Sequence, residues 1–120
     1  MTKQAFVFRK PPYGSSASRE GLDAILAATA FSNEDDISVF FLEDGVFNLL
    51  THQQPEKILQ KDFISTFKLL ELNNIEQRYI CEESVVERNL ADKEIIVPCQ
   101  VLKRTEIINK LQSADKIFTF

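Results

Sequence analysis

The stretch Ile37-Ser38-Val39-Phe40-Phe41-Leu42 decides the fold. Apart from Ser38 it is apolar throughout, and β-branched and aromatic side chains dominate it. A strand with one face in water alternates apolar and polar residues. A run without that alternation belongs to a strand covered on both faces, the condition found in parallel sheets. Glu43-Asp44-Gly45 ends the run with a turn signal. The sequence on either side should then alternate between strand and helix.

It does. Gln4-Ala5-Phe6-Val7-Phe8 reads as a first strand, followed by turn signals at Pro11-Pro12 and Tyr13-Gly14-Ser15-Ser16. Ser18 is placed to cap a helix with Glu20 and Asp23 in its first turns and Leu22, Ile25, Leu26 and Thr29 on one face. Beyond the deciding strand, Val46 to Leu50 starts a short helix or turn, and Pro55 opens another segment through Ile58 and Leu59. Asp62 restarts it, with Phe63, Phe67 and Leu70 forming one stripe and Ile64, Leu69 and Leu72 lying off it. Glu76 to Cys81 gives a third strand and a short helix follows. Ile95-Ile96-Val97 gives a fourth strand ended by Pro98, and Lys103 to Gln112 a helix with Ile107, Ile108 and Leu111 inward. Lys116 to Phe120 is the last strand. The expected fold is a three-layer α/β single domain over residues 1–120, with a five-stranded, mostly parallel sheet and helices on both faces.

The chain has 120 residues, enough for a core without disulfides or a structural metal. No run of about 18 apolar residues predicts a membrane span, and no signal peptide is apparent before the first strand. The net charge is −4, and the basic residues are scattered, with Lys103-Arg104 the densest pair. A chain that grips a phosphate backbone carries a basic patch, so direct nucleic-acid binding is not expected. Cys81 and Cys99 match no metal spacing and are expected to be reduced, in a cytoplasm. Neither a glycine-rich dinucleotide loop nor a phosphate-binding loop can be built from Gly14, Gly21 and Gly45, and no cofactor is expected. His52 reads as a solvated loop residue, and Ser15, Ser16 and Ser18 lack a nucleophile elbow.

Cys81 is the residue with chemistry in it. It closes Tyr79-Ile80-Cys81 and precedes the helical Glu82-Glu83-Ser84-Val85-Val86-Glu87-Arg88. Open α/β sheets place their chemistry at the carboxyl ends of strands, and a helix N-terminus favours a thiolate. Glu82 and Glu83 work against it, because adjacent carboxylates oppose ionisation of the thiol. Arg78, on the strand side, is the one adjoining cation in the sequence. The apolar coverage from Phe63 to Leu72 exceeds one helix face, which nominates Phe63, Ile64, Phe67 and Leu70 as oligomer-interface residues.

Several of these stretches resemble one family. Ala5-Phe6-Val7-Phe8, Pro12-Tyr13-Gly14-Ser15, Ser18-Arg19-Glu20-Gly21-Leu22-Asp23-Ala24, Val39 to Phe47, Thr66 to Leu70, Ile75-Glu76-Gln77, Cys81 to Leu90 and Ile117 to Phe120 are similar to the DsrE/DsrF/DsrH-like sulfur-relay proteins, closest to the DsrF-type subunit. The resemblance implies a cytoplasmic TusBCD-type complex, a dimer of heterotrimers with TusB-like and TusD-like partner subunits. Such a complex passes persulfide sulfur to a TusE-like acceptor and on to 2-thiolation of the wobble uridine in tRNA. It implies that the sulfur-accepting cysteine sits in the TusD-like subunit, and that Cys81 holds the matching position here. The expected role is a non-catalytic subunit, with Cys81 at most an auxiliary persulfide site. The alternative is a sulfurtransferase in its own right that carries a persulfide on Cys81. A flavodoxin-like ligand-binding module rests on fold analogy alone.

Overall fold

A computed structural model of the chain describes residues 3–12, 16–50 and 67–120. Five strands, β1 (Gln4–Phe8), β2 (Ile37–Phe41), β3 (Gln77–Cys81), β4 (Gln100–Leu102) and β5 (Lys116–Thr119), form one sheet in the order β4-β3-β2-β1-β5. Every pairing is parallel. The helices are α1 (Ala17–Ala28), α2 (Leu69–Leu72), α3 (Glu82–Glu87) and α4 (Arg104–Gln112), with 3-10 segments at Glu34–Asp36 and Glu43–Leu49. The expected α/β architecture is the observed one.

The order of the strands dictates where the helices go. From β1 to β4 each step moves toward one edge, and the last connection returns past β1 to β5. Right-handed crossovers put helices before and after such a reversal on opposite faces. Packing agrees. Phe6, Phe8, Val39, Phe41 and Ile80 form one buried cluster with Leu22 and Ile25 of α1, and Val85 of α3 lies against it. Ala5, Val7, Phe40, Tyr79 and Cys81 form a second cluster with Ile107 of α4. Adjacent residues of β1 and β2 thus enter different clusters, and the absence of alternation in Ile37–Phe41 follows from it.

The first cluster is rich in rings. Phe8 lies 5.3 Å from Phe41, and Phe67 meets both edge-on at 5.5 and 5.9 Å. Gly45 lets the 3-10 segment after β2 press onto the end of β1, because a Cβ there would overlap the carbonyl oxygen of Phe8.

Four expectations are corrected. The fourth strand is Gln100–Leu102, not Ile95–Val97; Ile95 makes only an isolated antiparallel bridge to Leu50. Val97 is buried and Ile95 and Ile96 pack on the first cluster, so their apolarity serves packing and not a ladder, and Pro98 has no N–H to give one. Ser18 is not the cap of α1, which starts at Ala17; its hydroxyl is buried and donates to the carbonyls of Lys10 and Pro11. Ile108 is 47% exposed, so α4 faces the sheet through Ile107 and Leu111. Phe67 and Leu70 are fully buried in the chain's own core, which leaves them no surface for a partner. Phe63, Ile64, His52 and the helix expected from Pro55 lie outside the described residues.

Candidate functional site

Neighbouring strands whose following helices diverge to opposite faces leave a crevice at their carboxyl ends, the usual ligand position in open α/β sheets. In this sheet β3 and β4 are such a pair. α3 leaves β3 toward the first cluster and α4 leaves β4 toward the second. Cys81 and Leu102 face each other in register at the mouth of that crevice. The sequence expectation that Cys81 ends a strand just before a helix is met in its geometry.

The thiol is not open to solvent. Cys81 is 0% exposed, and its side chain belongs to the cluster under α4. The Sγ–H donates to Glu83 Oε1 at 3.7 Å. The same oxygen accepts the backbone N–H of Arg104 at 2.8 Å, the first residue of α4. That N–H, together with the N–H of Glu83 itself, holds the Glu83 carboxyl below the usual carboxylate range. Desolvation opposes the shift, while the Arg104 charge and the Cys81 thiol add to it.

Glu82 and Glu83 look equivalent in sequence and are not equivalent in space. Glu82 is exposed, and only Glu83 turns inward onto the sulfur. The cation beside Cys81 is also not the one the sequence suggests. Arg78 donates to the carbonyls of Pro98 and Ile75 and reaches Glu71 at 3.8 Å. Arg104 takes its place: a charge on the Cys81 sulfur would raise its guanidinium, as Glu87 and Glu83 do, against the cost of burial. Its guanidinium also donates to Glu87 Oε1 at 3.3 Å and to Ser84 Oγ at 3.5 Å. No local pattern reveals this residue, which a crossover brings back to the end of β3.

Ser84, Glu43, Asp44 and Arg88 brace the crevice. Ser84 is fully buried, and its Oγ accepts the N–H of Glu43 at 2.8 Å. Arg88 pairs with Asp44 at 2.9 Å and ties α3 to the segment after β2. Beside the crevice an open depression of about 370 Å³ is lined by Glu82, Glu83, Val86, Glu87 and Lys103. Val86 of α3 and Val101 of the edge strand β4 expose apolar surface.

Cys99 is remote from this chemistry. Its thiol donates to the Val97 carbonyl at 3.5 Å, and burial pushes it up to about 12, with the Arg78 charge pulling the other way. Among the described residues no group of three or more His, Cys, Asp and Glu is arranged to hold a metal. Nor, among them, is any helix long and apolar enough to cross a membrane.

The arrangement has relatives. Residues 2–120 match the model of the DsrE/DsrF-like family. The chain is 55% identical over 118 residues to a protein called TusC homolog from Haemophilus influenzae, covering 98% of this chain and 99% of that one. A TusC homolog from Pasteurella multocida is 52% identical with the same coverage, and one from Vibrio parahaemolyticus 42% identical over the full length of both chains. Among solved structures, the ychN protein from E. coli superposes with a TM-score of 0.83 at 26% identity, over the whole of both chains.

Proposed function

The chain belongs to the DsrE/DsrF-like family, and on that premise we propose that it is a non-catalytic subunit of a TusBCD-type sulfur-relay complex. In this reading it assembles with TusB-like and TusD-like subunits in a dimer of heterotrimers in the cytoplasm. The complex hands persulfide sulfur to a TusE-like acceptor, and the sulfur ends as the 2-thio group of the wobble uridine of tRNA. The relatives that carry the TusC name over nearly their whole length support the subunit assignment.

The observation that carries the non-catalytic part is the state of Cys81. A sulfur acceptor needs an accessible thiolate. Cys81 has no exposed surface, and its Sγ–H donates to a carboxylate. With Phe67 and Leu70 turned into the core, the partner surface falls on other groups. Val86, Val101, Ile117 and Phe118 are exposed along the two edges of the sheet, and Phe63 and Ile64 keep their candidacy on sequence grounds.

Co-expression with the two partner subunits, followed by mass measurement in solution, tests assembly. Co-elution in one particle of defined mass is expected. A stable monomer that ignores both partners would refute the proposal.

The second reading, a sulfurtransferase with a persulfide on Cys81, is favoured by one observation: the cationic Arg104 at the start of α4 donates its N–H to the same Glu83 oxygen as the Cys81 thiol, at the crevice between β3 and β4. Mass spectrometry of the chain after incubation with a persulfide donor separates the two readings.

A further inference from the structure

The crevice between β3 and β4 is filled from within the chain. Glu83 leaves the first turn of α3, crosses toward α4 and places one carboxylate oxygen on both the Cys81 thiol, at 3.7 Å, and the Arg104 N–H, at 2.8 Å. Resting on the non-catalytic reading above, we infer that Glu83 is a specificity-determining plug. It holds Cys81 as a hydrogen-bonded thiol and occupies the N-terminus of α4, so that sulfane sulfur goes to a thiol elsewhere in the complex.

The chemistry that the plug blocks can be written out. With the crevice opened to water, the Cys81 thiol would lose its proton to a water molecule, and the thiolate would attack the outer sulfur of a donor R–S–SH. A bond forms between Cys81 Sγ and that sulfur while the S–S bond of the donor breaks. R–S⁻ leaves and takes up a proton, so the products are R–SH and Cys81–S–SH, with no external oxidant or reductant. Glu83 opposes this at two points. Its negative charge adjoins the sulfur that must become negative, and it takes the backbone N–H that would otherwise stabilise an anion there.

Among the described residues, the other charged groups around the crevice are few. Arg104 is the nearby cation, and its guanidinium is bonded to Glu87 and Ser84. Glu87 reaches the site only through Arg104, and Glu82 is exposed. The hydrophobic residues clustered with Cys81 are Ala5, Val7, Phe40, Leu102, Ile107 and Tyr79, and Lys110 of α4 lies over the Tyr79 ring at 4.9 Å. Glu83 is therefore the carboxylate in direct contact with the sulfur.

The experiment compares the full-length wild-type chain with Glu83→Ala and Glu83→Gln. Each is treated with iodoacetamide across a pH series and, separately, with glutathione persulfide. Peptide mapping assigns the modified cysteine, and Cys81→Ser is the control. Glu83→Ala should alkylate Cys81 about threefold faster at neutral pH, because removing one opposing charge worth about one pK unit gives about tenfold more thiolate of about threefold lower nucleophilicity. Its rate–pH profile should move to lower pH, and it should acquire one added sulfur on Cys81. Glu83→Gln keeps an acceptor for the Arg104 N–H and should shift the profile in the same direction by less. If Glu83→Ala does not fold, Glu83→Gln carries the comparison. Profiles and sulfur uptake unchanged in the variants would overturn the plug and leave the non-catalytic reading standing. Wild-type uptake on Cys81 as fast as in the variants would overturn both.

Discussion

Replacing Phe67 by alanine separates two roles that the sequence allowed for this residue. Phe67 has no exposed surface and packs edge-on against Phe8 and Phe41, with ring centroids 5.5 and 5.9 Å away. Truncating a buried phenylalanine costs about 3–5 kcal/mol, because the transfer term and the cavity add. Each lost ring pair contributes about 0.5–1.5 kcal/mol beyond its buried area. Phe67→Ala should therefore lose about 4 kcal/mol, a large share of the roughly 5–15 kcal/mol that holds a domain together. Equilibrium urea unfolding of the chain alone reads this as a fall in midpoint with an unchanged slope. Phe67→Leu should lose less, since it keeps more of the volume. A loss below about 1 kcal/mol in Phe67→Ala, with assembly abolished, would show that the ring faces a partner and not the core.

Three further outcomes follow from the geometry. Gly45→Ala should lose about 3 kcal/mol or more, since the new Cβ meets the backbone of Phe8, which cannot rotate away; near-neutral thermal melts would refute the close approach. The Glu83 carboxyl lies below its ordinary 4.5, so its stabilisation is complete above that value and is lost as pH falls through the folded-state value. The stability difference between wild type and Glu83→Gln should thus be level at neutral pH and shrink under acid, and growth under acid would reverse the sign. Cys99 titrates near 12 instead of 9.0, so the fold keeps its thiol neutral and stability declines as pH rises from 9.0 toward 12. Cys99→Ala should flatten that alkaline decline in urea titrations, and a decline of unchanged depth would exclude Cys99 as its source.

The legible parts of this fold were those where one physical reading survives. Ile37–Phe41 had to be a doubly covered strand, and the alternation around it then required a parallel sheet. Ile95–Val97 was not legible, because an apolar run fits a ladder and a packed segment equally well. The true edge strand, Gln100–Leu102, is only three residues long, too short to show a period. Phe67 and Leu70 misled for a related reason: apolarity predicts burial, but not against which chain.

At the site, the place of Cys81 at a strand end beside two glutamates could be read directly. Which neighbour acts could not, since Glu82 and Glu83 differ only in how the first turn of α3 points them. Arg104 was invisible for a simpler reason. It reaches the sulfur only after β4 has paired with β3 and turned the chain into α4.

The 2-thiouridine content of tRNA made by the reconstituted relay, with Cys81→Ser in this chain and its partner subunits intact, bears most directly on a non-catalytic role. Thiolation at the wild-type rate is predicted, together with the unchanged mass of the assembled particle. Loss of thiolation from an intact Cys81→Ser complex would contradict that role and make Cys81 a station of the relay.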